Sequence, residues 1–253
     1  MAASGPHHDG CSPAPITIAV IMPVLNESRC LAHILAHTQA LGFDEVIIVD
    51  GGSSDDTFSI AQSFAKQCDT DPLRASGSMR VLTAPRGRAR QLNTGAAASA
   101  CDVLLFLHAD TLLPSNARRA VLTALSDAAA VGGRFNVRFD SSRLTALVVS
   151  SLMNVRSRWS GIATGDQAIF VRRAVFETMG GFADIPLMED IDFTRRLKRT
   201  GPLVSLSDEV VTAFRRWEQQ GPLRTILLMW TLRFLYWIGV NPHRLQHFYS
   251  MVR

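Results

Sequence analysis

The stretch Asp44-Glu-Val-Ile-Ile-Val-Asp-Gly-Gly-Ser-Ser-Asp-Asp-Thr57 runs an apolar strand into an aspartate, and a glycine-rich turn then opens a helix. Val46 to Val49 are β-branched and uninterrupted by polar residues, the pattern of a strand buried on both faces of a parallel sheet. Asp50 then stands at the carboxyl end of that strand, where open α/β sheets bind their ligands. Gly51 and Gly52 permit tight backbone geometry, and Ser53, Ser54 and Asp55 offer helix-capping oxygens. Taken alone, the stretch reads equally well as an ordinary strand-to-helix turn.

Outward from this turn the pattern repeats. Strands are expected at Ile16–Val24, Glu45–Val49, Met79–Thr83 and Val103–Leu107. Helices are expected at Arg29–Leu41, Thr57–Gln67, Arg90–Ala100 and Ser115–Asp127, with a polar loop over Cys68–Ser78. This alternation predicts a mostly parallel sheet flanked by helices, an α/β fold. After residue 130 the rhythm changes. Phe135, Val137 and Phe139 alternate with Arg134, Asn136 and Arg138, which predicts a half-exposed antiparallel strand over Gly133–Phe139. A helix over Leu144–Arg158, a strand over Gln167–Val171 and an acid-to-base helix over Glu189–Arg199 complete the reading. Residues 1–15 read as a disordered tail, 16–220 as one domain with an antiparallel extension, and 221–253 as a C-terminal helical appendage.

The chain has 253 residues, 47% hydrophobic and 19% charged, the composition of a globular protein. Its net charge is +4, and from Arg195 onward ten Lys and Arg stand against three Asp and Glu. Such an excess favours an anionic partner, a phosphate-bearing small molecule or an acidic membrane surface. Nucleic acid is disfavoured, because no basic run and no nucleic-acid motif is present. Cys11, Cys30, Cys68 and Cys101 are scattered without metal spacing and read as thiols of a reducing compartment. The expected localisation is cytoplasmic, with a peripheral place on the inner face of the membrane as the other reading.

Polar residues collect at the strand ends. Pro23-Val-Leu-Asn-Glu27 ends the first strand, and Asn26 is an acceptable N-cap there. Arg86-Gly-Arg-Ala-Arg-Gln-Leu-Asn-Thr-Gly-Ala96 places three arginines where a loop becomes a helix. Helix N-termini attract anions, and basic residues are disfavoured in a first turn, so anion binding is preferred here to a solvated arginine face. In Leu107-His-Ala-Asp-Thr-Leu112 a carboxylate, Asp110, could hold a hard cation that also ligates a diphosphate, with His108 ligating or only orienting its neighbour. Met188-Glu-Asp-Ile-Asp-Phe-Thr-Arg-Arg-Leu197 carries Asp192 and Arg196 as a plain i,i+4 pair. The adjacent Glu189 and Asp190 look instead like a placed acid/base group.

In this order the segments resemble the family 2 glycosyltransferases of the GT-A (Rossmann-like) fold. The resemblance rests on Ile21-Met-Pro-Val-Leu-Asn-Glu27, Val49-Asp-Gly-Gly-Ser-Ser-Asp-Asp-Thr57, the His108-Ala-Asp110 variant of an Asp-x-Asp motif, and Glu189-Asp190. Arg88 to Ala96 with Phe106 to Thr111 looks like the small subgroup called the arsenosugar-biosynthesis type. The resemblance implies a nucleotide-diphosphate sugar donor, a Mg²⁺ or Mn²⁺ ion, and a small-molecule or lipid-linked acceptor. It implies that Pro23, Asn26, Glu27, Asp50, Arg90 and Asn93 line the donor nucleotide site and that Asp110, with His108, meets the metal. Asp190 would be the general base beside Glu189. Arg215-Arg216-Trp217 resembles a shortened Gln-x-x-Arg-Trp motif in which Arg216 and Trp217 touch donor phosphate or acceptor; the glutamine is absent, which argues against processive synthesis.

The expected activity is inverting, metal-assisted glycosyl transfer to an acceptor hydroxyl. The alternatives are a catalytically silent sugar-nucleotide-binding partner subunit and a sugar nucleotidyltransferase, although the latter is expected to open on a glycine-rich phosphate loop. The apolar tail carries Arg224 and Arg233 on opposite sides of a helix and so has no basic stripe. It is therefore expected to pack against the domain or a second subunit of a homo-oligomer in preference to a membrane.

Overall fold

The computed structural model describes residues 15–70, 77–214 and 221–252. Most of the expected tail (1–14), part of the Cys68–Ser78 loop, and Arg216 with Trp217 lie outside the described residues. Eight strands form one sheet in the order β3-β2-β1-β4-β7-β6-β8-β5. Four are parallel neighbours: β3 (Ser78–Thr83), β2 (Glu45–Asp50), β1 (Ile18–Val24) and β4 (Val103–Phe106). Their crossovers are α1 (Leu31–Ala40), α2 (Thr57–Thr70) and α3 (Arg88–Ala98).

Period-two alternation makes this a three-layer structure. Along β1, Ile18, Val20, Met22 and Val24 join the apolar cluster that includes Leu31 and Leu35 of α1. Ala19 and Ile21 join the opposite cluster, with Ala89, Leu92 and Ala96 of α3. Both faces are thus dry, which is why these strands contain no polar alternation. A Cβ at Gly95 would sit 2.5 Å from Ile21 Cγ2, so a glycine here lets α3 lie close on the sheet.

Beyond β4 the sheet is mixed. β7 (Phe170–Arg172) runs antiparallel to both β4 and β6 (Gly132–Phe139). α4 (Ala117–Ala124) precedes β6, and α5 (Leu144–Ser160) follows it. The two-residue β5 (Thr111–Leu112), α6 (Arg173–Thr178) and the long β8 (Leu203–Thr212) carry no signal used in the sequence reading.

The expectation for β6 needs correction. It pairs antiparallel with β7 only at Gly132 and Gly133, runs parallel to β8 along most of its length, and is buried on both faces. Arg134 and Asn136 are enclosed because α5 covers their side. Arg134 donates to Phe135 O, Asn136 Oδ1 and Asn154 O, and burial followed by neighbouring Arg158 and Arg156 pushes it down to about 10. Asn154 of α5 also bonds both the N–H and C=O of Val137, satisfying strand groups that would otherwise be buried unpaired.

α7 (Glu189–Leu197) is held by an aromatic cluster. Phe182 stacks on Phe193 at 4.3 Å, and Phe106 meets both from the end of β4. Two further helices, α8 (Pro222–Trp237) and α9 (Pro242–Val252), follow. Leu232 of α8 and Leu245 of α9 cluster with Met188, so the tail backs the loop that leads into α7.

Candidate active site

At the carboxyl ends of β1 and β2 the loops bind one another. Asn26, expected as an N-cap, does not cap α1, which begins at Leu31. It adopts φ 56° and its Oδ1 accepts the Ser54 N–H at 2.8 Å, while its own N–H donates to Ser53 Oγ. Asp50, only 4% exposed, accepts the N–H groups of Gly52 at 2.9 Å and Ser53 at 3.0 Å and the Ser53 hydroxyl. Asp55 accepts from Thr57 and Ser28, and these bonds hold its carboxyl well below the usual range. Gln91 donates from Nε2 to both Val24 O and Val49 O at 2.8 Å, tying the ends of β1 and β2 under α3.

A cavity of about 590 Å³ opens beside these loops. Pro23 and Glu27 line it from the β1 exit, Arg86, Arg88 and Arg90 from the start of α3, and Asp184 and Glu189 from the far side. α3 starts at Gly87, which provides no side-chain cap, so its first-turn N–H groups and three guanidinium groups share one wall. That combination suits an anion. Arg90 chelates Asp184 at 2.9 and 3.0 Å, which raises its pKa further. Asp50, Asn26 and Asn93 do not line the cavity. Asn93 instead makes a two-way clamp with the backbone of Phe182, at 2.8 and 2.9 Å.

A second pocket of about 140 Å³ shares Arg88, Leu187 and Glu189 with the first. His108, Thr164, Gly165, Asp166 and Asp190 line it, with Thr225, Met229 and Arg233 from α8. Met188 precedes α7 with φ 70°, an unusual conformation for a non-glycine residue and one that collects at functional sites. It leads the chain into Glu189 and Asp190. Arg88 reaches Glu189 at 3.4 Å.

Asp190 Oδ2 accepts the Gly165 N–H at 2.8 Å, and Oδ1 accepts the Ile191 N–H at 2.7 Å. Enclosure of its carboxyl, and next the charge of Glu189, push Asp190 up to about 6, against the pull of the Gly165 N–H, Arg88 and the Ile191 N–H. His108 Nδ1 lies 3.1 Å from Asp166 Oδ1. The other edge of the ring covers Gly165, where a Cβ would come 2.3 Å from His108 Nε2. Asp110 receives the Thr111 hydroxyl at 3.3 Å.

The structure thus brings Glu189, Asp190 and His108 together in one pocket, and Pro23, Glu27 and Arg90 in the adjoining one. Gly165, Asp166 and Arg233 were absent from the sequence motifs, and Arg88 was read only as one of three anion-binding arginines, not as the partner of Glu189. A glycine-aspartate pair before a strand and an arginine in the middle of an apolar helix were the available signals.

Comparisons with known proteins follow this geometry. The sequence is 28% identical over 223 residues to the probable glycosyltransferase YdaM of Bacillus subtilis, covering 80% of this chain and 50% of that protein. It is 26% identical to the glycosyltransferase AglE of Haloferax volcanii, covering 77% of this chain and 65% of that one. The chain therefore spans about half to two thirds of the length of these relatives. Among solved structures, S. aureus TarS 1-349 in complex with UDP-GlcNAc superposes with a TM-score of 0.59 at 14% identity, covering 78% of this chain and 58% of that one. The mannosyltransferase PcManGT from Pyrobaculum calidifontis, in complex with GDP-Man and Mn²⁺, gives 0.57 at 22% identity, covering 77% and 56%. The model of the family described as glycosyl transferase family 2 matches residues 19–180, well over half of the chain, and this protein, of GT-A architecture, belongs to that family.

Proposed function

We propose that this chain is an inverting glycosyltransferase that moves a sugar from a nucleotide-diphosphate sugar to an acceptor hydroxyl, with Asp190 as general base. The observation that carries the reading is the half-buried Asp190 carboxyl, held by two backbone N–H groups and raised to about 6, in the smaller cavity beside Glu189, which lines both. The larger cavity, with its arginines and uncapped α3, suits the diphosphate. The smaller one suits the acceptor. In a single displacement the acceptor oxygen bonds to the anomeric carbon as the bond from that carbon to the diphosphate oxygen breaks, and Asp190 takes the hydroxyl proton. A silent binding subunit has no use for a base poised in this way.

Within this reading Glu189 keeps Arg88 oriented toward the diphosphate and raises the basicity of its neighbour. Pro23, Glu27 and Arg90 face the nucleotide, while Asn26, Asp50 and Asn93 hold the walls. Among the described residues no group of three or more His, Cys, Asp or Glu could cage a metal ion. Asp110 lines neither of the two cavities, so an ion it met would take most of its ligands from phosphate and water. Asp110 would hold it near His108, and when bound it would neutralise charge on the departing diphosphate.

The test is incubation with a panel of nucleotide-diphosphate sugars, with and without Mg²⁺ or Mn²⁺, following slow donor hydrolysis and donor binding by calorimetry. One or more donors should bind and be hydrolysed, and Asp110→Ala should weaken metal-dependent binding as chelator does. Failure to bind any sugar nucleotide would overturn the reading.

A further inference from the structure

α5 and α8 each turn an apolar stripe to solvent. On α5, Leu144, Val148, Leu152, Val155 and Trp159 fall within an arc of about 80° at 3.6 residues per turn, and Trp159 is 90% exposed. On α8, Leu227, Trp230, Phe234 and Trp237 occupy an equally narrow arc, with the two tryptophans 66% and 75% exposed. The helices are neighbours, since Ile226 of α8 packs against a cluster to which Ala146 and Val149 of α5 belong. Contiguous apolar side chains exposed on adjacent helices mark an interaction surface, whereas single exposed ones do not.

We propose that this surface docks on an anionic lipid bilayer. The argument for that occupant is charge. Between Arg143 and Ser160, and again between Gly221 and Val252, the chain contains no aspartate or glutamate. Arg143, Arg158, Arg224 and Arg244 are exposed on or beside these helices. A second copy seated isologously would bring these arginines toward helices that carry no carboxylate of their own, whereas anionic headgroups supply that charge. Exposed tryptophans on an apolar face suit the headgroup level of a bilayer.

The low amphipathicity of α8 is no objection. Its inner face, Thr225, Met229, Leu232 and Tyr236, is also largely apolar because it packs on the domain and lines the smaller pocket. A stripe of basic residues is needed only where the second face of a helix meets water. Arg233 is turned to that pocket, where its Nε is buried and has no hydrogen-bond partner among the described residues. No described helix is long and apolar enough to cross a membrane, so the contact proposed is interfacial. It stands independently of the chemistry assigned to Asp190.

Full-length protein is mixed with vesicles of phosphatidylcholine alone, or of phosphatidylcholine with phosphatidylglycerol, and sedimented at low and moderate salt. Binding is expected to the anionic vesicles, to weaken with salt, and to be lost in Trp159→Ser/Trp230→Ser/Trp237→Ser. Because that variant could misfold, Arg143→Gln/Arg158→Gln/Arg224→Gln provides a second arm, expected to weaken partitioning by about 10²-fold. Equal binding by wild type and both variants, no sedimentation at low salt, or a dimer in light scattering that the tryptophan variant dissociates would overturn the proposal.

Discussion

Asp50 and Asp190 both stand where a strand or loop hands over to a helix, yet their surroundings differ. Asp50 accepts two N–H groups and a hydroxyl from its own glycine-serine turn, all within three residues. Asp190 receives one N–H from its neighbour Ile191 and one from Gly165, which is distant in sequence, and it lies beside Glu189 in a pocket. The first carboxylate is satisfied by local geometry and supports the turn. The second is only partly compensated, which leaves it basic enough to take a proton near neutral pH. The contrast separates an aspartate that builds a turn from one that the proposed function makes the base.

The strongest way to break this comparison is to remove each acid. Asp190→Asn should lower transfer by about 10²-fold or more while donor affinity stays near wild type, the scale of general-base catalysis. Undiminished transfer would return Asp190 to a structural role.

Titration sharpens the same point. With Asp190 raised to about 6, the ionised base is lost as pH falls through that value. The acid limb of the transfer rate should therefore fall about tenfold per pH unit below roughly 6. A flat profile from pH 5 to 7 would mean that another group, or none, accepts the proton.

Gly165→Ala should cost about tenfold in turnover, with little change in donor affinity, because misplaced groups lose rate before binding. Its Cβ would displace His108 and with it the N–H that holds Asp190. The acid limb should also move, since that N–H opposes the upward shift. An unchanged pH profile together with lower turnover would remove the positioning role.

The smallest effects are on stability. Asp50→Ala strips the turn of its acceptor and should destabilise the fold by about 1–3 kcal/mol. Should donor binding vanish while the melting temperature holds, Asp50 touches the nucleotide directly. In the folded state Asp190 binds its proton more tightly than in the unfolded chain, so its contribution to stability falls as pH rises from the unfolded value through about 6. Asp190 accepts an N–H on each oxygen and an asparagine accepts on only one, so the pH dependence, not the Tm at one pH, reports the pKa. Wild-type stability should fall relative to that of Asp190→Asn from about pH 4 to 7, and parallel melting profiles would contradict the raised pKa.

The parallel half of the sheet, β1 to β4, was legible in the chain because its signals are local. Continuous apolar runs specify strands covered on both sides, and Val103 to Leu107 or Ile18 to Val24 can hardly be anything else. β6 was misread because alternation reports polarity, not exposure. Arg134 and Asn136 are polar yet enclosed, and only α5, arriving later in the chain, decides that. β8 escaped notice because its half-exposed alternation includes serine, aspartate and glutamate.

Sequence by itself determined the parallel sheet, the arginines at the start of α3, the paired acids of α7 and the family to which they belong. Each depends on residues adjacent in the chain or within a helical turn. Tertiary structure alone decided that Gly165 and His108 pack beside Asp190, that Asn93 is engaged by Phe182, and that one face of α8 lines a pocket while the other meets solvent. Those facts depend on which distant segments fold back onto one another. A helix buried on one side and bare on the other carries apolar residues all round, so no periodicity in its sequence distinguishes the two faces.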